Sequence, residues 1–246
     1  MAYQTPTDFF GLTSTANKLV VQSSSENKQA ALGTGHNEKG DIVAWEVFGE
    51  RLSPTCTYIL GADYNLANIK CGEAKQCTAT DYSTLYFVFG GITINTQAGS
   101  PPTIQVSGEE VPASAGSHSD CTYTLTGATV KLCHHAQVLW DAPLEAADLG
   151  TGNYLQSANY TAGGTLSLAT KDGEIVSYDI TDGQRQVQAT ILQTGDTKPT
   201  ITDGNGKTTW KITSPLTCDN PDADYPTWTV TLSKYLEHDA QTQTNP

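Results

Sequence analysis

The sequence predicts an all-β fold, a sandwich or barrel of about a dozen short strands with one or two short helices. Three observations predict it. Apolar residues recur at every second position in several segments, which is the period of a half-buried strand. Charged residues make up only 16% of the chain, against roughly 25% in an average soluble domain. Glycine-containing turn sequences separate many of these segments.

The clearest alternation lies at residues 41–48, where Val43, Trp45 and Val47 share one face. Such a pattern predicts a strand with one buried and one solvated face. Similar half-buried strands are predicted at 174–180, with Val176, Tyr178 and Ile180 inward, at 186–193, with Val187, Ala189 and Ile191 inward, and near the C-terminus, with Trp228, Val230 and Leu232 inward.

A more apolar segment predicts a central strand. Residues 85–89 are apolar on both faces and continue through Gly90 and Gly91 into 92–94, which indicates a strand bent by a glycine pair. Shorter strands are predicted at 19–22, 55–60, 103–106, 122–125, 130–132, 137–140, 165–169 and 208–212.

Helical signal is confined to residues 26–32 and 143–149, each shorter than three turns. The second segment begins with Pro143 and is followed by Gly150, the favoured order at helix ends. One short helix is therefore expected there.

The length of 246 residues and the 37% hydrophobic content predict a single β-sandwich domain spanning 1–246. We expect long loops near 13–39 and 96–119, which are polar and poor in apolar residues, and a loose C-terminal tail at 238–246.

The charge balance excludes one large class of function. A formal net charge of −13 repels phosphate, so a protein that wraps or grips nucleic acid is not expected. No apolar run reaches the roughly 20 residues of a membrane-spanning helix. The N-terminus lacks a basic and an apolar segment typical of a secretory signal, which predicts cytoplasmic synthesis and six cysteines that remain thiols.

Three clusters of candidate site residues have simpler interpretations. His118, Asp120, Cys121, Cys133, His134 and His135 include metal-ligand types, but adjacent strand residues point to opposite faces. The acidic cluster Asp219, Asn220, Asp222 and Asp224 lacks the glycine and distal glutamate of an EF-hand loop. Residues 206–208 end like a phosphate-binding loop, but Ile201 stands at its first glycine position.

No catalytic motif is present either. There is no G-x-S-x-G sequence, and the neighbours Glu109 and Glu110 face opposite ways on a strand, so they do not form an acid/base pair. We therefore assign no catalytic, cofactor-binding or metal-binding residue, expect no cofactor, and predict that the protein is not an enzyme.

Three segments carry a resemblance to a known family. A Ser-, Thr- and Asn-rich N-terminal stretch leads into NEKGDIVA at 37–44, QAGSPPTIQVSG follows at 97–108, and YPTWTVTL lies at 225–232. Together they resemble virion structural proteins of tailed bacteriophages, most nearly the tail tube subunit. The chain is larger than a minimal tube fold, with extra sequence at 113–141 and 149–165, so other virion roles stay open.

The resemblance implies a β-sandwich that forms symmetric rings stacked into a tube through which genomic DNA is ejected. Its partners would be copies of itself, other virion tail proteins and DNA that passes without specific binding, with no membrane partner. The protein would be made in the host cytoplasm and reside in the virion tail. We expect the loops near 13–39 and 96–119 to make head-to-tail contacts, and the tube lumen to carry net negative potential.

A carbohydrate-binding or adhesive β-sandwich is the alternative. Exposed tryptophans could form its sugar-binding platforms, and Trp140, Trp210 and Trp228 are the candidates. The competing interpretation is that these side chains pack in the core.

Overall fold

The computed structural model describes residues 6–13, 18–113, 116–117, 122–171, 174–203, 209–221 and 223–236. The fold is all-β, as predicted, with a large antiparallel sheet and smaller sheets that share its core. The long strands are β1 (Leu19–His36), β2 (Ile42–Leu60), β13 (Asn153–Lys171) and β14 (Glu174–Gln193). The other strands are β3 (Tyr64–Asn65), β4 (Lys70–Cys71), β5 (Lys75–Gln76), β6 (Tyr86–Val88), β7 (Gly91–Gln97), β8 (Ser100–Ser107), β9 (Glu109–Val111), β10 (Gly116–Ser117), β11 (Tyr123–Thr124), β12 (Thr129–Val130), β15 (Lys211–Cys218) and β16 (Thr227–Tyr235).

The main sheet has the strand order β1-β2-β8-β7-β13-β14-β16-β15, and β10 adds a short parallel pairing to β14. Smaller sheets are formed by β5-β6-β9, by β11-β4 and by β12-β3. The predicted helix is α1 (Ala146–Leu149), and 3-10 turns lie at Leu66–Asn68 and Thr80–Tyr82. No helix in the described part of the chain could span a membrane.

One buried row crosses the main sheet. Adjacent strands align these side chains directly opposite one another, and all of them are fully buried: Tyr58, Ile104, Ile94, Tyr160, Val187 and Leu232. Because side chains alternate between the two faces of a strand, this row defines the core face of the sheet. The predicted inward positions Val187, Ala189, Ile191, Val230 and Leu232 are confirmed.

A group of glycines lies where the main sheet meets the smaller ones. The predicted bent strand at 85–94 is instead two strands, β6 in the three-stranded sheet and β7 in the main sheet, with Gly90 between them. Gly163 has a φ of +129°, and a Cβ there would overlap with the carbonyl oxygen of Gly90. The close approach of these two backbones therefore requires glycine.

Several expectations are wrong. The expected loop near 13–39 and the helix at 26–32 are replaced by β1. The side chains of this segment show no apolar alternation, but pairing with β2 satisfies its backbone hydrogen-bonding groups. The expected loop near 96–119 contains β8, β9 and β10. Residues 137–140 form no strand. The tail at 238–246 lies outside the described residues.

Four predicted inward residues are also exposed: Val43, Trp45, Val47 and Val176. The first three lie in β2, where both faces of the strand are in solvent at residues 42–47. Val176 is exposed because a register shift skips it: Thr170 pairs with Ile175 and Ala169 pairs with Ser177. The bulge moves Ile175 into the buried position that alternation assigned to Val176.

Candidate assembly surface

The β1–β2 hairpin extends well beyond the main sheet. β8 pairs with β2 only at residues 55–59, so further out β1 is the one described strand that pairs with β2. We call residues 30–50 of this hairpin the first arm. At about 3.3 Å per residue, the arm is about 30 Å long.

The first arm exposes an apolar stripe on one face. Leu32 lies opposite Val47, and Thr34 lies opposite Trp45, with Val43 next along the same face. The exposed fraction is 72% for Trp45, 64% for Val43, 63% for Leu32 and 44% for Val47. An exposed stripe of this kind is typical of a protein contact surface.

The β13–β14 hairpin forms a comparable projection. β13 pairs with β7 only as far as Gly163, and β14 pairs with β16 only from Gln184 onward. We call residues 164–171 and 174–183 the second arm. One side of it packs on the three-stranded sheet through Ile175 and Tyr178, while Val176 is exposed.

Both arms leave the same end of the main sheet. Thr55 pairs with Ser107, Val106 pairs with Ile92, and Gly91 pairs with Gly163, so these positions form one line across the strands. The arms begin on the same side of that line. The molecule therefore has an arm end and an opposite end.

Exposed apolar side chains are concentrated at these two ends. Of the eleven large hydrophobic side chains exposed in the described residues, five lie on the first arm and one on the second. Leu132, Tyr154 and Tyr225 lie at the opposite end, near the β7–β8 turn and the start of β13 and β16. The two ends thus present different apolar groups.

The face of the main sheet opposite the core is uncharged in its middle. Ten positions on five strands carry only amide or hydroxyl side chains: Thr93, Asn95, Thr103, Gln105, Asn159, Thr161, Gln186, Gln188, Thr229 and Thr231. Asn159 donates a 2.7 Å hydrogen bond to Asn95 across two strands. We call this the neutral face.

The candidate metal clusters do not assemble. No group of three or more metal-binding side chains occurs within the described ranges. Cys133 donates weakly to the backbone of His135, and both histidines at 134 and 135 are exposed. His118, Asp120, Cys121, Asp222 and residues 206–208 lie outside the described residues.

The structure shows the state of four of the cysteines that were predicted to remain thiols. Cys56, Cys77, Cys133 and Cys218 are free thiols, as expected. Burial raises the pKa of Cys56 to about 11, so this thiol keeps its proton at neutral pH. A buried protonated thiol is chemically inert.

Two of the three tryptophans proposed as sugar platforms lie in the core. Trp140 and Trp210 are buried, and Trp228 is half-buried with its indole donating to Gln193. Trp140 stacks under the guanidinium of Arg185 at 4.7 Å, and burial lowers the pKa of Arg185 to about 10. The core interpretation of Trp140 and Trp210 is confirmed.

Sequence reasoning named Trp45 but placed it in the core, and it missed the arms. The sequence carried no signal for the arms, because the alternation at Val43, Trp45 and Val47 is the same whether that face is buried or exposed. No protein-family model and no curated protein matches the chain.

Proposed function

We propose that this protein is a tail tube subunit of a tailed bacteriophage, which assembles with copies of itself into stacked rings around a DNA-conducting channel. The observation that carries the proposal is the pair of long arms at one end of the sheet, with an exposed apolar stripe that none of the described residues covers. Apolar surface of this kind gains free energy when a partner removes it from water.

The distribution of apolar groups favours contacts of the head-to-tail type. Leu32, Trp45 and Val176 lie at the arm end, while Tyr154 and Tyr225 lie at the opposite end. A contact between two different surfaces propagates into rings or stacks, whereas a self-complementary patch closes as a dimer. The joints in this proposal are therefore the arms and the opposite end rather than loops.

The size of the first arm is compatible with a stable contact. A two-stranded ribbon about 10 Å wide and about 30 Å long has about 600 Å² on its two faces together. A standard protein interface uses about 800 Å² from each partner. Contributions from the second arm would complete the area.

The channel in this proposal carries net negative potential. The chain has 26 acidic and 13 basic residues. In this proposal the neutral face lines the channel, and its middle contributes no cation that could hold DNA by counterion release. The sign of the electrostatic potential in the channel would then be set by carboxylates at the two ends of each subunit. A map of the assembled tube that showed a basic bore would contradict this part of the proposal.

The main test is assembly of purified protein, observed by negative-stain microscopy and native mass measurement. We expect rings or filaments from the natural sequence. Val43→Thr, Trp45→Thr and Val47→Thr together remove the part of the stripe that lies on β2 but keep strand-forming residues. This triple variant should remain folded and lose assembly.

The matched control is Val20→Thr, which changes an exposed apolar residue of the same hairpin within the main sheet. The control should assemble normally. Deleting part of the first arm would be less informative than substitution, because a deletion of residues 27–38 would remove much of β1. Monomers at all concentrations, or binding to glycans that Trp45→Thr abolishes, would instead favour the adhesive alternative.

A further inference from the structure

β9 contacts residues 51–53 at the base of the first arm and also contacts the second arm. Its three residues are Glu109, Glu110 and Val111, and it pairs with β6 at the edge of the three-stranded sheet. It follows β8 after the single residue Gly108. A short strand in this position can connect elements that the main sheet does not pair.

The two glutamates hold the base of the first arm. Glu110 accepts a 2.9 Å hydrogen bond from the backbone N–H of Leu52, and Glu109 accepts a 2.6 Å hydrogen bond from the hydroxyl of Ser53. The guanidinium of Arg51 lies 3.8 Å from Glu109. These bonds begin where β8 stops pairing with β2, so the carboxylates continue the sheet edge with side-chain acceptors.

The base of the arm is also where it bends. Gln29 pairs with Arg51 but Ala31 pairs with Phe48, so Gly49 and Glu50 form a bulge opposite a single residue. Gly49 has a φ of +64°, the left-handed conformation found in glycine bulges. Residues 51–53, which the two glutamates bind, therefore lie next to the bulge on the side of the main sheet. They fix the direction in which the first arm leaves the sheet.

The third residue of β9, Val111, packs against the second arm. Val111 is buried in a small apolar cluster with Val88 of β6 and with Ile175 and Tyr178 of the second arm. Leu166 of the second arm packs against both this cluster and the main core. The second arm is therefore attached to the strand that also holds the first.

We infer that β9 is a clasp that fixes the two arms relative to each other. Glu109 and Glu110 bind the base of the first arm, and Val111 packs against the second arm. The structural inference concerns the folded subunit itself. Its consequence for assembly rests on the proposed function, since a composite surface made by two arms binds well only if its parts are preorganised.

The test is amide hydrogen exchange of the full chain, with each variant compared with the natural protein in the same assembly state. Glu109→Ala with Glu110→Ala should accelerate exchange at Leu52 and its neighbours by about tenfold or more. Val111→Ala should do the same at residues 175–178. Glu46→Ala, which changes an exposed carboxylate on the first arm, should change neither region.

The decisive readout is the cross effect. A clasp requires that Val111→Ala also accelerates exchange at Leu52, and that the double glutamate variant also accelerates exchange at residues 175–178. Effects confined to the altered side would overturn the inference, because the arms would then be held independently. Unchanged protection in β16 shows that each variant is folded, and Ser53→Ala provides a milder substitution if the double variant is not.

The hydrogen-exchange test and the assembly test can fail independently of each other. Cross effects in a protein that never forms rings would support the clasp and contradict the tube. Rings from the natural protein without cross effects would support the tube and contradict the clasp. If both proposals hold, the double glutamate variant yields fewer or more irregular tubes at unchanged fold.

Discussion

The buried hydroxyl of Tyr58 donates a 2.7 Å hydrogen bond to the carboxylate of Asp8, which lies fifty residues earlier in the chain. The same carboxylate accepts hydrogen bonds from the backbone N–H groups of Leu12 and Thr13 and from the hydroxyl of Thr13. This arrangement fastens residues 6–13 to β2. Phe9 and Phe10, between the bonded groups, are buried against the rings of Phe87 and Phe89.

Replacing Tyr58 with Phe should lower the free energy of unfolding by about 1.5 to 3 kcal/mol, because the half-buried carboxylate of Asp8 loses a hydrogen bond from a buried hydroxyl. Urea denaturation provides the measurement. Tyr82→Phe is the matched control, since its hydroxyl also donates to a carboxylate, that of Glu26, but at an exposed position. The control should cost less than about 1 kcal/mol. Equal losses in both variants would mean that Asp8 does not anchor the segment.

Alkaline pH should destabilise the protein through Cys56. Burial, reinforced by the negative charge of Asp8, raises its pKa from 9.0 to about 11. Between these values the unfolded chain releases the thiol proton and the folded chain keeps it, so stability present below pH 9 is lost as the pH rises towards 11. The loss attributable to this group is up to about 3 kcal/mol.

Urea denaturation under reducing conditions from about pH 8 to about pH 11 measures this loss. Burial raises the pKa of Tyr58 as well, so its contribution has the same sign and begins near its ordinary value of 10.0. In Cys56→Ala the decline between pH 9 and pH 10 should be clearly shallower. An identical decline in that variant would rule out the thiol as its cause.

The close approach of Gly163 to Gly90 predicts a strongly unfavourable substitution. Gly163→Ala places a methyl group against the backbone of Gly90 and Gly91 and adds it at a φ of +129°. We expect a loss of about 3 kcal/mol or more in unfolding free energy. Gly99→Ala separates the two causes, because Gly99 has a φ of +86° but no atom within 4 Å of the added Cβ. It should cost about 1 kcal/mol, and similar costs for both variants would exclude a steric clash at Gly163.

The parts of the fold that the sequence predicted are those where pattern and packing coincide. Val187, Ala189 and Ile191 alternate and are buried, because β14 has neighbours on both sides and a core beneath it. The start of β1 was predicted at 19–22, but the rest was missed because residues 23–30 are nearly all polar and their pairing partner lies in β2. Backbone hydrogen bonds to a distant strand have no local signature.

The assembly surface could be predicted only in part. Alternation at Val43, Trp45 and Val47 correctly identified a strand with an apolar face, but alternation does not say what covers that face. The sequence placed Glu109 and Glu110 next to each other on a strand and predicted that they face opposite ways. Their contacts with Leu52 and Ser53 depend on the exact residue at which β8 ends, which no local pattern specifies.

The attachment of residues 6–13 has a consequence for how the chain is made. Phe9 and Phe10 contact Phe87 and Phe89, which leave the ribosome about 80 residues later, a delay of several seconds at typical synthesis rates. Until then the two phenylalanines have no site to occupy, and they remain accessible to chaperones. Residues 6–13 are thus synthesised well before the rings against which they pack, and they become native only once β6 is in place.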